Sequence, residues 1–114
     1  MARIPKRLAG PALVATGPAT IYTVPALTKT IIRQVHVQNP SGSPVTLTLS
    51  IGASAAATRL VETFSIPGAG AGILGSIVDW YWYVIMDAAE VLQAAAGTNN
   101  ILNITITGDE IVLG

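Results

Sequence analysis

The chain has no cysteine, a single histidine and only 11% charged residues, although 51% of its 114 residues are apolar. Without cysteine there is no disulfide and no thiolate chemistry, and the absence fits any compartment. One histidine, His36, excludes a multi-histidine metal site and leaves any Ser–His–Asp arrangement resting on that residue alone. Long apolar runs are missing too. The longest unbroken stretch of large apolar residues, Trp80 to Met86, falls far short of the roughly 20 residues that a membrane-crossing helix needs. Six basic residues cancel six acidic ones, so no global field draws the chain to nucleic acid or to an anionic membrane, and neither is expected as a partner. The scarcity of charge says most. A soluble monomer of this size leaves much of its chain in water, and such surfaces usually carry about a quarter charged residues. Much of this exterior is therefore expected to be covered by further copies of the chain or by another protein.

The few charges are unevenly placed. Arg3, Lys6 and Arg7 crowd the start, with no acid before Glu62, whereas Asp79, Asp87, Glu90, Asp109 and Glu110 fill the second half. Like copies are thus expected to be able to meet basic end to acidic end. The basic start followed by Leu8 to Ala15 has the outline of a secretory signal, but Pro5, Gly10, Pro11, Gly17 and Pro18 interrupt the apolar helix that such a signal needs. Residues 1–18 are expected instead as an extended N-terminal arm that docks on a neighbour or frays, ahead of a single domain over residues 19–114.

Within that domain the dominant period is two. From Val45 to Ile51 apolar residues alternate with Thr46, Thr48 and Ser50, and from Leu102 to Ile106 with Asn103 and Thr105, the pattern of half-buried strands. Thr30 to Asn39 reads likewise, with Ile31, Val35 and Val37 on one face, interrupted by Arg33, and Ile32, Gln34, His36 and Gln38 on the other. Weaker strands are expected at Thr20–Val24, Arg59–Ile66, Ile77–Met86 and Glu90–Ala95; the last lies in an alanine-rich stretch that also suits a helix by propensity. The cluster Asn39-Pro40-Ser41-Gly42-Ser43-Pro44 predicts a tight connection between antiparallel strands, as does Gly97-Thr98-Asn99-Asn100. About seven or eight short strands at this spacing indicate an all-β fold, an antiparallel β-sandwich or jelly-roll-like barrel.

Chemistry is sparse. His36 lies between polar strand neighbours without a nucleophile motif, so a surface role outweighs a catalytic one. Asp79, Asp87 and Glu90 read as solubilising charges rather than as the paired carboxylates of a glycosidase. The glycines Gly68, Gly70, Gly72 and Gly75 lack the Lys-Ser/Thr ending and the following helix of a phosphate loop. Asp109-Glu110 after Gly108 supply too few oxygens for calcium and are expected in a turn or at a chain end. No catalytic residue, cofactor or metal is expected, and the protein is read as not an enzyme.

Trp80, Tyr81, Trp82 and Tyr83 carry more weight, because four consecutive aromatics in a strand put large rings on both faces. Either the tryptophans are buried and the tyrosines point outward, or the reverse. A subunit contact uses such rings for area with a polar handle; a carbohydrate platform uses them for stacking. The interface reading is weighed above the glycan one because the surface charge is so low.

The order Ile21-Tyr22-Thr23-Val24-Pro25-Ala26, then Lys29 to Asn39, then Val45-Thr46-Leu47-Thr48-Leu49-Ser50-Ile51-Gly52, resembles small β-sandwich structural proteins of tailed bacteriophages. Asp87 to Gly97 followed by Asn103-Ile104-Thr105-Ile106-Thr107-Gly108 is similar to the closing half of that pattern, although Asp87-Ala88-Ala89-Glu90 stands where those proteins often carry an Ala-Gly-Asp/Glu turn. The resemblance implies a non-enzymatic virion component assembled in the host cytoplasm. It would be a head decoration or cement subunit, or else a neck, tail or baseplate accessory. Its expected partners are further copies of itself, with a trimer favoured, and the major capsid or another virion protein. Arg3, Lys6 and Arg7 would then pair with acidic shell residues, and Trp80, Tyr81, Trp82 and Tyr83 would form contacts. A carbohydrate-binding module using the Trp80–Tyr83 strand is the alternative of a different class.

Overall fold

The computed structural model describes residues 2–69 and 76–113. Eight strands run in order: β1 (Ala2–Leu13), β2 (Ala19–Thr23), β3 (Thr28–Gln38), β4 (Val45–Ile51), β5 (Arg59–Ile66), β6 (Ile77–Met86), β7 (Val91–Ala96) and β8 (Asn103–Val112). Among the described residues there is no helix, hence none long and apolar enough to cross a membrane. The strands form two four-stranded sheets, β1-β8-β3-β6 and β2-β7-β4-β5, in which every pairing is antiparallel. Apart from the β4–β5 hairpin, each connection carries the chain to the opposite sheet. This is the strand order of an eight-stranded jelly roll, folded into a slab of 48 × 28 × 19 Å.

Alternation places the core. Val45, Leu47 and Leu49 of β4, Leu92, Ala94 and Ala96 of β7, and Ile104 and Ile106 of β8 meet Ile32, Val35 and Val37 of β3 between the sheets. Each fully buried Leu or Ile contributes roughly 1.5–3 kcal/mol relative to exposure. Ala94 and Ala96 of β7 are therefore strand residues facing the core, and the helical propensity of this stretch is overridden by tertiary packing. Strands β3, β4 and β8 were thus legible from period alone, as was the antiparallel sandwich.

Four local expectations need correcting. Residues 2–13, expected as an arm reaching to a neighbour, pair with β8 of the same chain as the edge strand β1. Its prolines are compatible with an edge, where a missing N–H disrupts no ladder, and Leu8 and Ala9 pack on the core. In β3 a bulge between Ile32 and Gln34 reverses the facing of what precedes it. Ile32 therefore joins Val35 and Val37 in the core, whereas Ile31, though buried, lies outside that cluster. Asp109 and Glu110 do not end a strand: β8 runs through them, because Gly108 allows close approach of β3, whose Ile31 carbonyl oxygen would lie 2.0 Å from a Cβ at that position. Finally, Asn39–Pro44 and Gly97–Asn100 join strands in different sheets rather than adjacent partners.

The Asn39 corner shows how a crossing is fixed. Asn39 is fully buried; its amide donates to the carbonyls of Ser43 (2.8 Å) and Ile66 (3.1 Å), and its oxygen accepts from the Ser41 backbone N–H (3.0 Å) and hydroxyl (2.8 Å). All of its hydrogen-bonding capacity is spent on holding the β3–β4 connection against the end of β5.

Candidate functional site

The aromatic strand β6 lies at the edge of its sheet, and of the two facings open to it one is realised. Trp80 and Trp82 point inward and pack against the core, stacked at 5.7 Å between ring centroids, with Phe64 of β5 edge-on to Trp80 at 5.3 Å. Phe64 is nonetheless 44% exposed. The two sheet edges β5 and β6 therefore form an aromatic lip along one side of the slab. Tyr81 and Tyr83 point outward and are 77% and 64% exposed, with Ile85 next on the same face.

The basic residues of β1 separate. Arg3 donates from Nε (3.0 Å) and Nη2 (2.7 Å) to Asp109 Oδ2, which also accepts from Arg33 Nη1 at 3.1 Å. Lys6 faces the other way and reaches Glu110 Oε1 at 3.3 Å. Arg7 is exposed and makes no hydrogen bond or ion pair among the described residues. Lys29 pairs with Asp87 at 2.5 Å, and Arg59 with Glu62. Much of the charge expected to join copies end to end is thus neutralised within one chain.

Glu110 belongs to an internal tie between the sheets. The buried Tyr22 hydroxyl of β2 lies 2.7 Å from Thr30 Oγ1 of β3 and donates to Glu110 Oε2 at 2.5 Å. Burial pushes the Tyr22 phenol well above its ordinary value, and the hydrogen bond to the carboxylate pushes it further in the same direction. The proton stays on the phenol because removing it would set two anions side by side in a poorly solvated place.

His36 Nδ1 lies 2.6 Å from Asp79 Oδ1, which also accepts from Gln34 Nε2 at 3.2 Å. This pair sits on the open face of a sheet, and its further hydrogen bond runs to an amide rather than to a nucleophilic hydroxyl. Among the described residues no group of three His, Cys, Asp or Glu side chains is placed to hold a metal ion. The glycine tract expected to be only superficially like a phosphate loop lies mostly outside the described residues. Gly68, which is described, packs its backbone on the Ser41–Ser43 turn.

Charge is also divided between the two broad faces. β2, β4 and β7 contain no charged residue, and the sheet they form carries charge only at its β5 edge, where Arg59 and Glu62 bind each other. Facing away from the core on those strands are Thr20, Gln93, Ser50, Ala95, Thr48 and Thr46. The opposite face bears Arg3, Arg7, Lys29, Arg33, His36, Asp79 and Asp109 beside the two tyrosines.

No family model and no curated protein matches the chain. One solved structure that it is similar to bears the description "Cyanophage Pam1 capsid asymmetric unit", with a TM-score of 0.48 and 17% identity over 97% of this chain and 84% of that one. A likeness this remote defines neither a family nor a function for the chain.

Sequence reasoning did not single out Arg33, Gln34, Thr107 or the Tyr22–Glu110 tie. The signal for the tie was present: counting by twos from Ile104 brings Gly108 and Glu110 onto the core side, where a carboxylate needs a partner.

Proposed function

We propose that this protein is a non-enzymatic structural subunit of a tailed-phage virion, a capsid decoration or cement protein that associates with its own copies and with shell protein through the uncharged β2-β7-β4 face. The observation that carries the reading is the division of charge: three adjoining strands turn threonine, alanine and glutamine side chains outward and carry no charged group. Short side chains such as alanine and threonine lose little rotamer freedom, and the face leaves no ion to desolvate when another protein covers it. The aromatic lip at the β5 and β6 edges adds apolar area at roughly 25 cal/mol per Å². The order of strand sequences that resembles small phage structural proteins supports the same reading. A sandwich fold alone does not, since one architecture hosts many functions.

The test is the solution mass by light scattering across a dilution series, for the native chain and for Ala95→Glu, which places a carboxylate in the middle of that face. A trimer or larger ring that Ala95→Glu reduces to monomer without lowering the melting temperature supports the proposal. A native chain that is monomeric throughout, and that fails to bind purified phage heads lacking decoration, would overturn it.

A further inference from the structure

One row of side chains crosses all four strands on the outer face of the β1-β8-β3-β6 sheet. Arg7 stands opposite Thr107, Thr107 opposite Gln34, and Gln34 opposite Tyr81. Directly opposed residues of antiparallel strands project from the same face. At about 4.8 Å per strand the row spans on the order of 14 Å. It begins with a guanidinium that is bonded to no other described residue and ends with a ring that is 77% exposed. The bulge in β3 is what completes it, because it sets both Arg33 and Gln34 on this face.

Neighbouring rows enrich the surface. On one side lie Thr105 and the His36–Asp79 pair; on the other, Arg33 sits 5.8 Å from the centre of the Tyr83 ring. Between Arg33 and β1 a shallow depression of about 430 Å³ is floored by Pro5, Thr107, Gly108 and Asp109. Asp109 is the one carboxylate there, and it already holds both Arg3 and Arg33 through Oδ2. With Arg7 alongside, three guanidiniums face one carboxylate, so the depression has positive charge to spare.

We propose that this row is a binding site for an acidic saccharide, one bearing uronic carboxylates or sulfate groups. A pyranose lies with its C–H face on the Tyr81 ring, its hydroxyls bond the Gln34 amide and the Thr107 hydroxyl, and an acidic group reaches Arg7 and Arg33. Guanidinium suits that last role because its planar fork binds carboxylate or sulfate oxygens in pairs. An acidic protein segment would satisfy the arginines but leave the ring and the crosswise hydrogen-bonding groups unused. A nucleic acid strand needs basic groups all along its track, whereas here the guanidiniums cluster towards one end of the row and Asp79 lies at the other. Trp80 and Trp82 take no part, since their rings face the core. The site stands apart from the uncharged face, so it does not depend on the assembly proposed above.

The experiment is calorimetric titration of the full chain with tetragalacturonate and with a heparin tetrasaccharide, against neutral galactotetraose, hexaglutamate and oligo-dT as controls. Tyr81→Ala and Arg7→Ala are the variants; both side chains are exposed, and unchanged melting temperatures confirm intact folds. The expected result is binding of at least one acidic saccharide, weakened about tenfold or more by each substitution, with little or none of the three controls. No heat from either acidic saccharide at millimolar concentration overturns the proposal. So does equal binding of hexaglutamate or oligo-dT that survives Tyr81→Ala, since the face would then be reading charge alone.

Discussion

Two single residues show where stability is concentrated. Among the described residues, Tyr22 is the side chain that bridges β2 to both β3 and β8, and its partner Glu110 is nearly buried. Tyr22→Phe should cost about 1–3 kcal/mol, the range for withdrawing a donor from a buried polar group, seen as a lower urea midpoint at neutral pH. The same residue sets an alkaline limit. Because the folded phenol holds its proton beyond the pH at which an unfolded tyrosine ionises, about 10, its contribution is complete below that pH and is lost as pH rises above it. Stability measured from pH 8 to 11 should fall over the upper part of this range in the native chain and fall less in Tyr22→Phe. Gly108→Ala is expected to be harsher, more than about 4 kcal/mol, because the added methyl would overlap the Ile31 carbonyl oxygen within a central pair of strands. Failure to recover a cooperatively unfolding protein is the outcome to look for.

At the scale of elements, the edges of the sandwich behave differently from its centre. β6 presents a long edge with Asp79 as its sole charge, and its inward tryptophans are covered only in part, by Phe64 from the other sheet. Phe64→Ala should cost about 1–3 kcal/mol, less than a fully buried phenylalanine because nearly half of it is already in water. Red-shifted tryptophan emission should accompany the loss. How readily each element could be read from sequence depends on the same physics. β4 was legible to the residue, since a half-buried strand bounded by turn residues has no competing interpretation, and the weaker signals of β5 and β6 also fell on the observed bounds. β1 was not, because the prolines that break a helix and interrupt a central strand are harmless at an edge, and an edge is a tertiary fact. The facing of Ile31 and Ile32 was misread because a bulge adds a residue without leaving a mark in the apolar pattern. The outward facing of Tyr81 and Tyr83 was one of two options until the neighbouring strands were placed. What sequence could not offer was the cross-strand row, whose four members come from positions 7, 34, 81 and 107 and meet only through register.

For the whole molecule, the jelly-roll connections decide the order of local opening. β3 and β8 lie inside one sheet, and β4 and β7 inside the other, each with partners on both sides. Amide exchange should therefore be slowest in these four strands and fastest in the outward-facing amides of β1, β2, β5 and β6, as strands with one free edge open at lower cost. The segregation of charge between the two broad faces could be read only in part from composition. A low total was evident, but that β2, β4 and β7 adjoin in one sheet, and so merge their uncharged stretches into a surface, depends on topology.

That segregation has a geometric corollary. The saccharide row and the uncharged face lie on opposite sides of a two-sheet slab, whose layers are about 10 Å apart, so occupation of one leaves the other free. Copies fixed to a shell by the same side would all turn the other side outward, at a regular spacing and in one orientation. A polymeric glycan meeting such an array pays the cost of encounter once, after which each further contact is made at high effective concentration. A site with only millimolar affinity on one subunit would then hold firmly on the particle and let go when the subunits are dispersed.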